Sequence, residues 1–221
     1  MSAAARALAA RALAARPERS ARLVRAGLVT LGLLVVVGGR WAATVAEAPP
    51  LAVGALFGFA LVAIAWTGGL RPAGTHPWAI RPTVVLIGLA GAVALVGLAV
   101  GASRLAGLPL RVVPQTDFGW WALITIVVAT AEELILRGVL FDALRDAAGG
   151  RGRADDPTAL AVAVIATSLL FALIHVPLYG WHVVPLDLGV GVFLAGLRLV
   201  SGSVAAPAIA HVVADLATWW I

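Results

Sequence analysis

The chain contains no cysteine, no lysine, one methionine and one tyrosine, and only 12% of its 221 residues are charged. Without thiols there can be no disulfide, iron–sulfur cluster or thiolate metal site, so any metal must be held by histidine and carboxylate. All 16 basic residues are arginine, and the net charge of +5 is spread through apolar sequence, which suits membrane topology better than a nucleic-acid surface. No nucleic-acid partner is expected. What the chain has in abundance is apolar residues, at 62%, where an average soluble domain has roughly 45–50% apolar and 25% charged residues. Mean hydropathy is +1.01. The apolar material recurs in blocks of near 20 residues, enough at about 1.5 Å per residue to cross a hydrocarbon core of about 30 Å.

These blocks cover residues 24–45, 51–69, 82–103, 118–141, 158–177, 184–200 and 204–221. Between them lie turn-forming residues: Pro49-Pro50, Gly68-Gly69 with Pro72, Pro109 and Pro114, Gly149-Gly150 with Pro157, Pro177 with Gly180, and Ser201-Gly202-Ser203. The pattern predicts an all-α, polytopic transmembrane helical bundle of about seven spans. Most tryptophans fall near block ends, where an indole can sit half in lipid and half in water. Residues 1–21, rich in Ala and Arg with RALAA occurring twice, read as a basic cytoplasmic tail; a transit peptide or an interfacial helix is the other reading. Residues 22–221 form a single transmembrane domain.

With the amino terminus inside, Arg6, Arg11, Arg16, Arg19, Arg22, Arg25, Arg71, Arg81, Arg145, Arg151, Arg153 and Arg198 share its side, and only Arg40, Arg104 and Arg111 lie opposite. The positive-inside rule therefore predicts a cytoplasmic amino terminus. Arg137 is left within the membrane.

The fourth block, flanked by Asp117 and Asp142, carries Glu132, Glu133 and Arg137 in its interior. At about 15 Å from the nearer charged end, Glu132 is close to mid-depth. A charge at the bilayer centre costs about 2.5–3.5 kcal/mol on insertion scales, so these groups must face protein or a wet cavity. Glu133 and Arg137, spaced i, i+4 with the acid first, can pair as a structural staple. Glu132 points about 100° away and has no such partner. Two other blocks supply candidates: Phe171 and His175 one turn apart in the fifth, and His211 and Asp215 one turn apart in the seventh. Inside a bilayer an imidazole without a polar partner is costly, which favours functional roles for both histidines. Asp187, His76 and His182 read as solvated.

Glu132, Glu133, Arg137, His175, His211 and Asp215 form a hydrolytic inventory: carboxylates that take protons and imidazoles that bind metal or donate to an oxyanion. The same groups would also serve a proton relay in a transporter or a structural network in a non-catalytic membrane scaffold. Inverted repeats, which would favour transport, are not evident.

The residues resemble the CPBP intramembrane proteases, the family of the type II CaaX prenyl endopeptidases and the bacterial Abi proteins. Its Glu-Glu-x-x-x-Arg motif stands as Glu132 to Arg137, Phe-x-x-x-His as Phe171 to His175, a Gly-rich helix with a Gly-Ser turn and a Pro as Phe193 to His211, and His-x-x-x-Asn/Asp as His211 to Asp215. The resemblance covers residues 118–221, the protease-like core. It implies that Glu132 activates water, that His175 helps hold it, that His211 and Asp215 polarise the scissile carbonyl or complete a metal site, and that Arg137 and Glu133 brace the helix. Asp215 stands where Asn is common in the prenyl-protein endopeptidases, and donates only when protonated. Glu132, His175 and His211 could hold a divalent metal such as zinc, although a ligating Glu132 could not also be the free base; a metal-free mechanism is the other possibility. The resemblance further implies a hydrophobic or lipidated peptide or protein substrate, contact with membrane lipids, and residence in a bacterial cell membrane. The motifs Gly-x-Ser-Gly, Gly-x-Gly-Asp and His-Glu-x-x-His are absent.

Overall fold

A computed structural model describes residues 3–68, 80–106, 117–149 and 156–220. Arg71, Pro72, His76, Trp78, Pro109, Arg111, Pro114, Arg151 and Arg153 lie outside these. Among the described residues the structure is helical with no strand: α1 (Ala3–Val45), α2 (Pro50–Gly68), α3 (Pro82–Ala106), α4 (Phe118–Glu133), a π-helical segment (Leu134–Leu140), α5 (Phe141–Gly149), α6 (Pro157–Tyr179), a short 3₁₀ turn (Trp181–Val183), α7 (Val184–Ser201) and α8 (Ala205–Ala217). Five stretches, in α1, α2, α3, α6 and Trp181–Ser201, are long and apolar enough to cross a membrane. With α4 and its continuation, and the shorter α8, this fits the expected bundle of about seven helices, an integral membrane protein.

Three boundaries differ from those read in the sequence. Helix α1 begins at Ala3, so the expected tail is continuous in backbone with the first apolar block. The fourth block runs beyond residue 141, passing through the π segment into α5. Pro177 lies inside α6, where it has no N–H to donate to the carbonyl one turn back, yet the helix runs on to Gly180, whose φ of 85° turns the chain.

Each span buries one stripe. In α1 it is Ala26, Val29, Leu33 and Val37, the three-and-four spacing of a single helix face; in α2 it is Gly54, Phe57, Gly58, Leu61, Ala65 and Gly68. A Cβ on Gly54 would lie 2.8 Å from Ile124 and one on Gly58 2.9 Å from Val127, so the small-xxx-small pair lets α2 close on α4. Helix α3 packs along α8 by the same device: a Cβ on Gly88 would meet the Ala206 carbonyl oxygen at 2.9 Å. Around the bundle α1 lies against α2, α2 against α4, α4 against α8, α8 against α7, α7 against α6, and α6 against α1. Helix α4 packs on α2 and α8 rather than on α6 or α7.

Gly191 of α7 is where two helix backbones approach most closely beside the buried charges, since its Cβ would fall 2.9 Å from Ser168 Cα and 3.1 Å from the Ser168 carbonyl oxygen. Neither neighbour is a flexible side-chain end. Gly191→Ala is expected to lower unfolding stability by about 1–3 kcal/mol through overpacking, measured by unfolding in detergent micelles; an unchanged midpoint would contradict this packing.

Candidate active site

Helix α4 is anchored at its start by Asp117, whose Oδ1 accepts hydrogen bonds from the backbone N–H groups of Gly119 and Trp120. Beside it, Phe118 and Trp121 pack with Trp219 and Trp220 at centroid distances of 5.0–6.0 Å, tying the start of α4 to the end of α8. About 20 Å further along, α4 delivers Glu132 and Glu133 into the bundle.

The two acids, adjacent in sequence, have different fates. Glu133 is fully buried and its Oε1 accepts two hydrogen bonds, from Arg137 Nη1 at 2.8 Å and from His211 Nδ1 at 3.0 Å. It is a braced counter-ion. Arg137, also fully buried, donates through Nη2 to the Gly191 carbonyl at 3.1 Å and lays its guanidinium 4.6 Å from the centre of the Phe171 ring. The staple expected between Glu133 and Arg137 thus extends to α6, α7 and α8. Glu132 is 4% exposed, and its carboxylate has no hydrogen bond within the protein among the described residues. It lies near enough to His211, Asp187, Tyr179 and Arg137 to act electrostatically on each.

The π segment follows immediately. Such wide turns, which leave the ordinary i→i+4 ladder, occur frequently at functional sites. Here Arg198 of α7 donates from Nε to the carbonyl of Arg137 at 3.2 Å and faces Asp142 Oδ1 from Nη2 at 3.5 Å. Arg198, counted above as a cytoplasmic surface charge, is therefore a bracing group whose side chain is only 12% exposed.

Both histidines approach the same space. His175 Nδ1 donates to the Phe171 carbonyl at 2.8 Å; because a carbonyl only accepts, that nitrogen carries the proton and Nε2 is the one left for other work. The Phe171 ring is the partition between the imidazoles, 4.8 Å from His175 and 5.4 Å from His211. His211 sits between two acids, with Nδ1 on Glu133 and Nε2 3.4 Å from Asp215 Oδ2. A neutral imidazole can donate to one of these only, so the trio shares an additional proton if both contacts are hydrogen bonds.

Five of the six sequence-predicted residues are thus linked by direct contacts or through the Phe171 ring, and Glu132, next to Glu133 on α4, joins them electrostatically. Asp187 joins them and corrects its reading as a solvated residue. Its side chain is 18% exposed, its Oδ2 stands 3.7 Å from His175 Nδ1, and that oxygen is buried without a hydrogen-bond partner. The fold brings it there because α7 packs along α6 from its first turn. An aspartate in the first turn of an apolar helix was the available signal. His182, by contrast, is exposed as expected.

The metal set Glu132, His175 and His211 is not assembled. Among the described residues no three His, Asp or Glu side chains are grouped to hold a metal ion, and His211 has both nitrogens turned to carboxylates, leaving no lone pair free without breaking a contact. These donors do not fit the expected three-ligand zinc site.

Searches among curated proteins and among solved structures give no match. A protein-family comparison does: residues 114–217 match the Rce1-like family, described as type II CAAX prenyl endopeptidase Rce1-like. The matched stretch holds α4 to α8 and every one of the six residues, and leaves α1 to α3 outside. The four motifs, their placement on helices that converge, and this match agree: residues 114–217 are a domain of the type II CAAX prenyl endopeptidase, Rce1-like family of intramembrane proteases.

Proposed function

We propose that the protein is an endopeptidase that hydrolyses a peptide bond of a hydrophobic or membrane-anchored substrate, of the prenylated CaaX type or otherwise, with Glu132 as general base. The observation that carries this reading is the contrast between neighbours: Glu133 is neutralised by Arg137 and His211, whereas Glu132 has no hydrogen bond within the protein among the described residues. A carboxylate kept free of partners is available to take a proton.

In this mechanism water lies between Glu132 and His175 Nε2. Glu132 removes one proton as the water oxygen bonds to the scissile carbonyl carbon. His211, whose Nε2 lies 3.4 Å from Asp215 Oδ2 at the opposite side of Phe171, supplies with Asp215 the hydrogen bond that meets the carbonyl oxygen as it gains negative charge. When the C–N bond breaks, Glu132 returns its proton to the leaving amine. Arg137 and Glu133 take no part beyond fixing α4 and the His211 ring. Asp187 holds the electrostatic environment of His175.

The arginine distribution favours a cytoplasmic amino terminus and the family resemblance a bacterial cell membrane, where the neighbours of such a site are lipids and the peptide they deliver. Because the donors do not assemble a metal site, cleavage is expected to persist within about twofold after dialysis against a chelator. Zinc bound one to one in mass spectrometry of the purified protein, with activity lost on its removal, would overturn this part of the mechanism. The reading as a whole is tested by trapping: full-length Glu132→Gln protein should retain hydrophobic peptides that the wild type releases as two fragments.

A further inference from the structure

Asp187 brings to the site a charge that the resting arrangement does not use. Its Oδ2 is buried without a hydrogen-bond partner, 3.7 Å from His175 Nδ1, and its side chain is 18% exposed. An acid in the first turn of a helix gains from the helix dipole, but no side chain caps the start of α7, and an acid serving the dipole alone could stay in water. Nor is Asp187 needed to choose the tautomer of His175, because the Phe171 carbonyl already takes the Nδ1 proton at 2.8 Å. Phe171 one turn before and Tyr179 one turn after lie against the imidazole at centroid distances of 4.8 and 6.0 Å, so the ring keeps its Nδ1 edge toward Asp187.

A negative charge at this distance distinguishes a neutral ring from a positive one, the more so where the dielectric is low. We propose that His175 becomes positive in each turnover by taking the second proton of the attacking water at Nε2, and that Asp187 is the positioning residue that steadies the resulting imidazolium. This rests on the protease reading and adds to it the fate of one proton. Glu132 takes the first proton as the water oxygen bonds to the carbonyl carbon, and passes it to the leaving amine. The second remains on the hydroxyl of the tetrahedral intermediate. As the C–N bond breaks and the oxyanion returns to a carbonyl, that proton moves to Nε2 and the product departs as a carboxylate. The imidazolium, with Nδ1–H still between the Phe171 carbonyl and Asp187, then gives its Nε2 proton to bulk water.

The test uses the full-length chain in phosphatidylcholine nanodiscs and a pool of decapeptides randomised over Ala, Leu, Val and Phe, with cleavage followed by mass spectrometry and rates measured on one peptide that the wild type cuts. Asp187→Asn keeps the shape and breaks no hydrogen bond of Oδ2, so unfolding stability should not fall, whereas kcat is expected to drop about 10²-fold with KM within about twofold. Asp187→Glu should recover part of the loss. His175→Gln keeps an acceptor that can hold water but takes no proton, and should lower kcat at least as far. Adding Asp187→Asn to it should cost no more than about twofold further, because the carboxylate acts through the ring. Full kcat in Asp187→Asn, a loss in KM rather than kcat, a loss that follows lowered unfolding stability, or effects of the two substitutions that simply multiply would overturn the inference. A wild type that cuts no peptide overturns the protease reading and this one with it; cleavage lost in Glu132→Gln but kept in Asp187→Asn overturns this one alone.

Discussion

Glu132→Gln is expected to reduce cleavage of a membrane-anchored peptide by a factor on the order of 10² to 10⁴, the usual contribution of a positioned general base. The substitution keeps volume and removes only the ability to accept a proton at neutral pH. As the Glu132 carboxylate is buried with no hydrogen bond within the protein among the described residues, its neutralisation orphans no partner and removes the desolvation cost of a buried charge, so unfolding stability should not fall. The loss should appear in kcat with KM little altered, since the group acts on water as the transition state forms. The measurement is single-turnover cleavage in proteoliposomes beside an unfolding curve in the same detergent. Full activity with intact folding would remove Glu132 from the chemistry and return the transporter and scaffold readings to consideration.

The opposite signature is expected at Arg137. Replacing it by Met preserves much of the side-chain volume but strips Glu133 of its ion pair, frees the Gly191 carbonyl and removes the cation from the Phe171 face. Breaking a buried pair from one side costs about 3–5 kcal/mol, because the remaining charge keeps its desolvation penalty. Glu133→Gln should be costly for the mirror reason. The double variant Glu133→Gln, Arg137→Met should lose clearly less than the sum of the two, by a coupling within the 0.5–3 kcal/mol range of contacting residues. Equilibrium unfolding of the four proteins in mixed micelles closes the cycle, and strict additivity would mean that the 2.8 Å contact is not an energetic one. Activity falls in these variants too, but through stability and the His211 ring, so lowered temperature should recover part of it.

The legibility of this site in the sequence has a physical origin. Charges are so costly in hydrocarbon that Glu132, Glu133 and Arg137 announce themselves wherever they fall in an apolar block, and one-turn spacing on a helix is enough to put Phe171 beside His175 and His211 beside Asp215. What the linear pattern lacks is the angle between helices. Asp187 reads as a mouth residue because nothing along α7 alone says that its first turn faces His175, and Arg198 reads as one more cytoplasmic charge although it serves a carbonyl of the neighbouring element. The π segment is invisible for a different reason: Leu134 to Leu140 are residues that an ordinary α-helix accepts as readily, and the contacts it makes with α7 through Arg137 and Arg198 leave no local pattern.

The wide turn between α4 and α5 also bears on how this protein can change over generations. A π segment accommodates one residue more than an α-helix needs for the same rise, so the two flanking helices could keep their places on a chain one residue shorter. The surplus lies where the Arg137 side chain and carbonyl meet α4, α6 and α7, so a single-codon deletion here would disturb folding and activity together, and chain length at this point is a trait on which both kinds of selection act.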